Sequence, residues 1–174
     1  MKKLVTYFIF CLFLLPISAC GHDVSYELGF SPNGKSLQTV LHGITEAKKS
    51  ILVAAYSFTS KPVSEALLEA HKRGVKVSVV ADSKANSTQY TAVNFLANHG
   101  VPVRLNDKYA IMHHKFMVID GISVQLGSFN YSASAVDKNA ENVLLLKNVP
   151  DIASRYTDEW NRLWSEGIDV KKNY

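Results

Sequence analysis

His113-His114-Lys115-Phe116-Met117-Val118-Ile119-Asp120, followed after Gly121–Leu126 by Gly127-Ser128-Phe129-Asn130, sets the polar pattern H-x-K-x4-D-x6-G-S-x-N. Apolar residues fill the spaces between the polar ones, which predicts a strand, a turn at Asp120-Gly121 and a second strand. Side chains alternate across a strand, so His113 and Lys115 share one face and His114 takes the other. An imidazole beside an ammonium at a strand end needs a partner, because burying an unpaired charge is costly. An anionic ligand supplies one: imidazole serves as nucleophile or proton carrier, and ammonium, hydroxyl and amide groups donate to phosphate oxygens. The plainer alternative is a hairpin with a satisfied histidine and a snorkelling lysine.

Working outward, Val24 to Phe30 forms a first expected strand and Pro32-Asn33-Gly34 a turn. Ser36 to Lys49 carries Leu37, Val40, Leu41, Ile44 and Ala47 on one helical face. Ser50 to Phe58 is an apolar strand, and Pro62 opens a helix that Arg73-Gly74 closes. Val75 to Ala81 is a strand, Ser87 to Asn98 a helix and Val101 to Leu105 a short strand. After the two strands of the pattern come Val143 to Leu146 and a last helix from Pro150 to Trp164, with Lys171–Tyr174 as a frayed tail. Strands alternating with helices predict a single α/β domain, a mixed β-sheet flanked by helices on both faces.

The first twenty-one residues are expected to be a secretory signal peptide. Lys2 and Lys3 precede the apolar run Leu4 to Leu15, and small residues follow up to Gly21. Ile17-Ser18-Ala19-Cys20 also has the form of a lipoprotein box, so cleavage leaves either an ordinary terminus or a lipidated Cys20. The chain is therefore expected to be exported, periplasmic or secreted, with residues 22–174 as the working domain. Cys11 and Cys20 both lie in the leader, which excludes an internal disulfide, a thiol nucleophile and cysteine metal ligands from the mature chain. Losing Lys2 and Lys3 lowers the formal charge from +4 to +2, a balance that neither demands nor excludes a nucleic-acid partner.

The pattern resembles the HKD signature of the phospholipase D superfamily, which cleaves phosphodiesters. Tyr56-Ser57-Phe58-Thr59 and Glu141-Asn142 extend the likeness to the small bacterial nucleases of that superfamily, and it spans about Val24 to Trp164. The resemblance implies a phospholipase D-like fold, a metal-independent reaction without cofactor, and an active site assembled from two copies of the signature. This chain carries one copy, so it implies a homodimer with the active site at its two-fold axis. It also implies that His113 of one subunit attacks phosphorus to form a phosphohistidine, while the partner's His113 protonates the leaving oxygen and then activates water. Lys115 and Asn130 clamp the phosphate, and Ser128 adds a hydroxyl donor. Glu141 holds the second ring nitrogen of His113. Asp120, about 23 Å from His113 along an extended strand, belongs to the signature as a turn cap rather than to the chemistry.

No third residue stands at ligand spacing to His113 and His114, so no metal site is expected there; His114 packs on the opposite sheet face. His42, His71 and His99 are expected at the surface, and Trp160 and Trp164 form a core stripe. Tyr56, Phe58, Tyr109, Phe129 and Tyr131 either stack on bases or wall a pocket. Lys84, Arg104, Lys108 and Lys138 form either a basic rim or scattered solvated charge. Two substrates fit the chemistry: nucleic acid, cut by a non-specific endonuclease acting on DNA or RNA, or a phospholipid head group such as that of phosphatidylcholine or cardiolipin. A lipid enzyme needs an apolar rim, for which Ala110-Ile111-Met112 is the candidate. A catalytically silent phosphate-binding module is the remaining class. No stable protein partner other than a second copy is expected.

Overall fold

In a computed structural model the described residues, 23–88 and 91–172, form one eight-stranded sheet with five helices. The expected signal peptide and Cys20 lie outside these residues. Strands β1 (Ser25–Ser31), β2 (Ser50–Ala55), β3 (Lys76–Asp82), β4 (Val103–Asn106), β5 (Lys115–Ile119), β6 (Ser123–Gly127), β7 (Glu141–Lys147) and β8 (Ile168–Asp169) are ordered β1-β7-β6-β5-β2-β3-β4-β8. The β2-β3-β4 block is parallel, as helical crossovers require, and the remaining pairs are antiparallel. Helices α1 (Lys35–Glu46), α2 (Lys61–Lys72) and α3 (Ala92–Asn98) share one face with the short α4 (Ala133–Asp137), and α5 (Pro150–Glu166) covers the other. The mixed sheet with helices on both faces is the predicted architecture. Among the described residues no helix is long and apolar enough to cross a membrane.

Alternation sorts the core into two layers. Ile51, Val53, Ala55, Val77, Val79, Met117, Ile119, Val143 and Leu145 face α1 to α3, while Ala54, Val80, Phe116, Val118 and Val124 face Trp160 and Leu163 of α5. Every residue of β5 is buried, so the strand that carries the signature lies at the centre. Trp160 and Trp164 stack with ring centroids 4.8 Å apart, and Trp160 Nε1 donates to Val53 O at 2.9 Å.

Several boundaries differ from the sequence expectations for identifiable reasons. The first helix stops at Glu46 because Lys48, Lys49 and Ser50 direct their backbone N–H groups at the Asp120 carboxylate. The second strand stops at Ala55, and Tyr56–Ser60 bend so that Phe58 bridges to Tyr131. The third helix starts only at Ala92, where the Thr91 hydroxyl accepts from Asn94 N. Helix α4 and strand β8 had no sequence signal; α4 is a single turn capped by Ser132, and β8 pairs two residues with β4.

Asp120 corrects its expected role. Asp120 and Gly121 both have positive φ, 55° and 70°, at the centre of the tight turn between β5 and β6 in which Ile122 N donates to Ile119 O at 3.1 Å. The Asp120 side chain does not cap that turn. It reaches across to accept from three successive N–H groups of the α1–β2 connection, at 2.6 to 3.1 Å. Replacing it by alanine leaves those donors without their charged acceptor. Asp120→Ala is expected to lower unfolding free energy in urea by about 2 kcal/mol, while the turnover of the folded fraction stays near wild type; loss of turnover at unchanged stability contradicts this assignment.

Candidate active site

The carboxyl ends of β2, β3 and β4, the start of β5, the end of β6 and the start of β7 share one end of the sheet. The pairings Ala55 with Lys115, Asp82 with Asn106, Phe116 with Leu126 and Gly127 with Val143 set this alignment. Ligand sites of open α/β sheets lie at such ends. His113 and His114 sit just before β5, in extended backbone without ladder bonds, rather than inside the strand as expected. Alternation still governs them. His113 turns to Tyr56, with ring centroids 4.6 Å apart at 63°, whereas His114 turns to α5, meeting Glu159 at 3.1 Å and the edge of Phe116.

Lys115 is buried to 9 % exposure, and its Nζ donates to His113 O at 2.8 Å and lies 5.1 Å from the Tyr56 ring centroid. Burial lowers its pKa, and the Glu141 carboxylate opposes the shift. His113 is exposed at the mouth of the site. Partial desolvation and then the Lys115 charge hold its pKa below that of an ordinary imidazole; His114 pushes the same way and Asp82 opposes. The imidazole is thereby biased toward its neutral, nucleophilic form near pH 7.

Glu141 departs from expectation. Its oxygens accept from Ser128 Oγ at 2.5 Å and Asn139 Nδ2 at 2.9 Å, not from the His113 ring. The reason is topological: Glu141 begins β7, and β6 separates it from β5, a gap of two strand spacings, roughly 9.5 Å. Within one chain its field acts on Lys115 instead. Ser128 is also committed, giving its hydroxyl proton to Glu141 and accepting from Asn142 N at 3.1 Å. Gly127, at φ 150°, allows this close crossing, since a Cβ there would stand 2.1 Å from Asn142 O. Asn130 keeps a buried amide oxygen without a hydrogen-bond partner. That oxygen accepts only, so the group on Asn130 that can donate to a phosphate oxygen is its Nδ2.

Of the five aromatic candidates, Tyr56 alone meets the signature residues. Phe58, Phe129 and Tyr131 are fully buried, and Tyr109 bonds Glu166 and Arg162. The basic rim is similarly thinned. Arg104 is paired with Asp169 and stacked on Trp164, and Lys108 is paired with Glu166; Lys84 and Lys138 are exposed. Of the apolar candidates, Met112 is buried, and Ala110 and Ile111 are exposed.

Sequence reasoning missed Asp82 and Asn86. Asp82 Oδ2 accepts from Met112 N at 2.7 Å, beside His113. Asn86 donates to Tyr56 O and Asp82 O at 2.6 and 2.8 Å and accepts from Phe58 N at 3.0 Å, pinning the Tyr56 wall. The available signal was an acid ending an apolar strand with an amide four residues later.

Among the described residues one group has metal-ligand spacing: Glu27, His42 and Glu46. It lies toward the opposite end of β1 and β7, and Lys147 already meets Glu27 and Glu46 at 2.6 and 2.7 Å. That ammonium supplies the positive charge a metal would bring.

Residues 40–164 match the family described as "Cardiolipin synthase, PLD-like domain". A mitochondrial cardiolipin hydrolase from Xenopus laevis is 35% identical over 128 residues, 74% of this chain and 60% of that protein. A phospholipase D from Rickettsia conorii is 30% identical, over 75% of this chain and 65% of that protein. The chain thus spans about 60% of the length of the cardiolipin hydrolases it matches. The crystal structure of Nuc from Salmonella typhimurium, a phospholipase D family member, superimposes with TM-score 0.84 at 37% identity, covering 86% of this chain and 99% of that one.

An NMR titration of the ring protons is expected to give His113 a pKa below the ordinary imidazole value of about 6.5. Because the Lys115 charge is one cause, Lys115→Met is expected to raise that pKa; a fall would contradict the electrostatic account.

Proposed function

The chain belongs to the phospholipase D superfamily, and from that premise we propose that it is an exported, metal-independent phosphodiesterase acting through a phosphohistidine. The observation that carries the reading is His113 itself: an exposed imidazole biased to its neutral form, with a buried ammonium behind it. His113 donates its ring lone pair to phosphorus, the P–O bond to the leaving group breaks, Lys115 balances the charge on the non-bridging oxygens and Asn130 donates to them through Nδ2. The leaving oxygen takes a proton from a second imidazole. Water then attacks the phosphohistidine, that imidazole takes the water's proton, and the P–N bond breaks to release a phosphomonoester.

Among the described residues no second imidazole faces the His113 ring. Among the described residues the one other imidazole acting on His113 is His114, which is turned toward Glu159. We assign the role to His113 of a second copy. An uncovered apolar surface supports the pairing. Tyr26, Leu28 and Phe30 are exposed on one face of β1, on the α5 side of the sheet, where their register partners are Leu146, Leu144 and Asn142. The surface ends at the site, because Asn142 also holds the backbone N–H of Ser128 at 3.0 Å. An apolar stripe of this kind marks an interaction surface.

Nucleic acid is the proposed substrate, cut as a non-specific endonuclease. The exposed Lys84 and Lys138, and a rim whose exposed apolar candidates are the short pair Ala110 and Ile111, support it. A phospholipid head group is the second reading, favoured by the identity to the cardiolipin hydrolases and to the Rickettsia phospholipase D. Export rests on the leader composition, with Cys20 as the candidate lipid acceptor.

Two outcomes are expected. In excess EDTA the protein cleaves plasmid DNA, single-stranded DNA or RNA, and His113→Ala removes the cleavage by at least a thousandfold. Head-group release from phospholipid vesicles alone moves the substrate to lipid, and loss of activity in EDTA overturns the metal-free mechanism. Leu28→Glu combined with Phe30→Glu yields a folded monomer by light scattering, with activity lost; an active monomer contradicts the two-histidine arrangement.

A further inference from the structure

We propose that Asp82 is a positioning residue for His113: a buried carboxylate that anchors the backbone immediately before the imidazole and places a fixed negative charge near it. The proposal rests on His113 being the reacting group. Asp82 ends β3 and is 2 % exposed. Oδ1 accepts from Ala85 N at 2.8 Å, which closes the β3 turn, and Oδ2 accepts from Met112 N at 2.7 Å, which ties that turn to the residue before His113. Among the described residues no lysine, arginine or histidine stands within ion-pair distance of Asp82. Its two backbone N–H donors hold the carboxylate in place, and its field acts on His113.

The groups around His113 show what that field offsets. From the β5 side stand Lys115 and His114, both of which disfavour the imidazolium. From the β2 end stands Tyr56, against the ring. Glu141 of β7 acts on Lys115. Asp82, from the β3 end, is the one group among the described residues that favours protonated His113. A histidine that must be neutral for attack and protonated for acid catalysis needs such a counterweight, because Lys115 alone would suppress the second state. The Met112 contact adds geometry: the loop 107–112 has no ladder bonds, so this hydrogen bond holds the backbone leading into His113 at this end of the sheet.

The test uses the full chain with ring-labelled histidine. In Asp82→Asn, similar in shape but uncharged, the His113 pKa is expected to fall by about half a unit or more, and the acid limb of the rate profile moves with it. Asp82→Glu, which keeps the charge, is expected to recover part of the shift. A folded Asp82→Asn protein with an unchanged His113 pKa overturns the proposal. Should the variants not fold, hydrogen exchange of the wild-type Met112 amide decides: protection supports the anchor, and exchange as fast as Ile111 overturns it. The imidazole titration needs no substrate. Absence of phosphodiesterase activity would therefore overturn the functional reading while leaving the Asp82 result to stand or fall separately.

Discussion

The gathering of three backbone N–H groups by the Asp120 carboxylate holds the α1–β2 connection against the end of β5, and the register of the central strands depends on it. A slip of one residue between β5 and β2 would turn every side chain of β5 to the wrong face. With Asp120 N bonded to Ser50 O, Ile119 lies opposite Ile51 and Lys115 opposite Ala55. The two polar ends of the signature therefore have separate duties on one fully buried strand. Asp120 sets the register at one end, and Lys115 and His113 receive their positions from it at the other.

At the active end, charge is supported by side chains that carry none of the proposed chemistry. Asn86 fixes Tyr56, Asp82 fixes Met112, and Gly127 lets β6 approach β7 so that Ser128 and Glu141 meet. On the α5 side, His114, Glu159, Arg162, Tyr109, Glu166 and Lys108 form a continuous polar network that braces the loop leading into His113. Hydrogen bonds from Tyr109 first, then Lys108 and Asn106, hold the Glu166 carboxyl down at about 2, so this brace stays ionised across the working range. Preorganisation of this kind keeps the reacting groups in place without substrate.

How much of this was legible in the sequence follows from the range of each interaction. Hairpin chemistry is local, so Asp120-Gly121 announced its turn and the alternation of His113, His114 and Lys115 announced their faces. Amphipathic spacing announced α1, and Pro62 with Arg73-Gly74 announced the ends of α2. The ends of elements were less legible because remote groups cut them: Asp120 ends the helical pattern before Lys48, and the Phe58–Tyr131 bridge ends β2 early. The five aromatic candidates looked alike as residues, yet the strand ends buried three of them and left Tyr56 at the imidazole.

The sequence by itself determined the fold class and the chemical class of the site. The two-residue and 3.6-residue periods, the spacing of His113, Lys115, Asp120, Ser128 and Asn130, and the family likeness they carry are all written along the chain. Only the tertiary structure decided which groups meet. It gave Glu141 to Ser128 and Lys115 rather than to His113, sent the Asp120 carboxylate to Lys48, Lys49 and Ser50, and tied Asp82 to the backbone of Met112, just before the imidazole. The physical reason is that spacing along a strand fixes which face a residue takes, whereas its partner across the sheet depends on strand order. That order is set by burial of the two apolar layers over the whole chain.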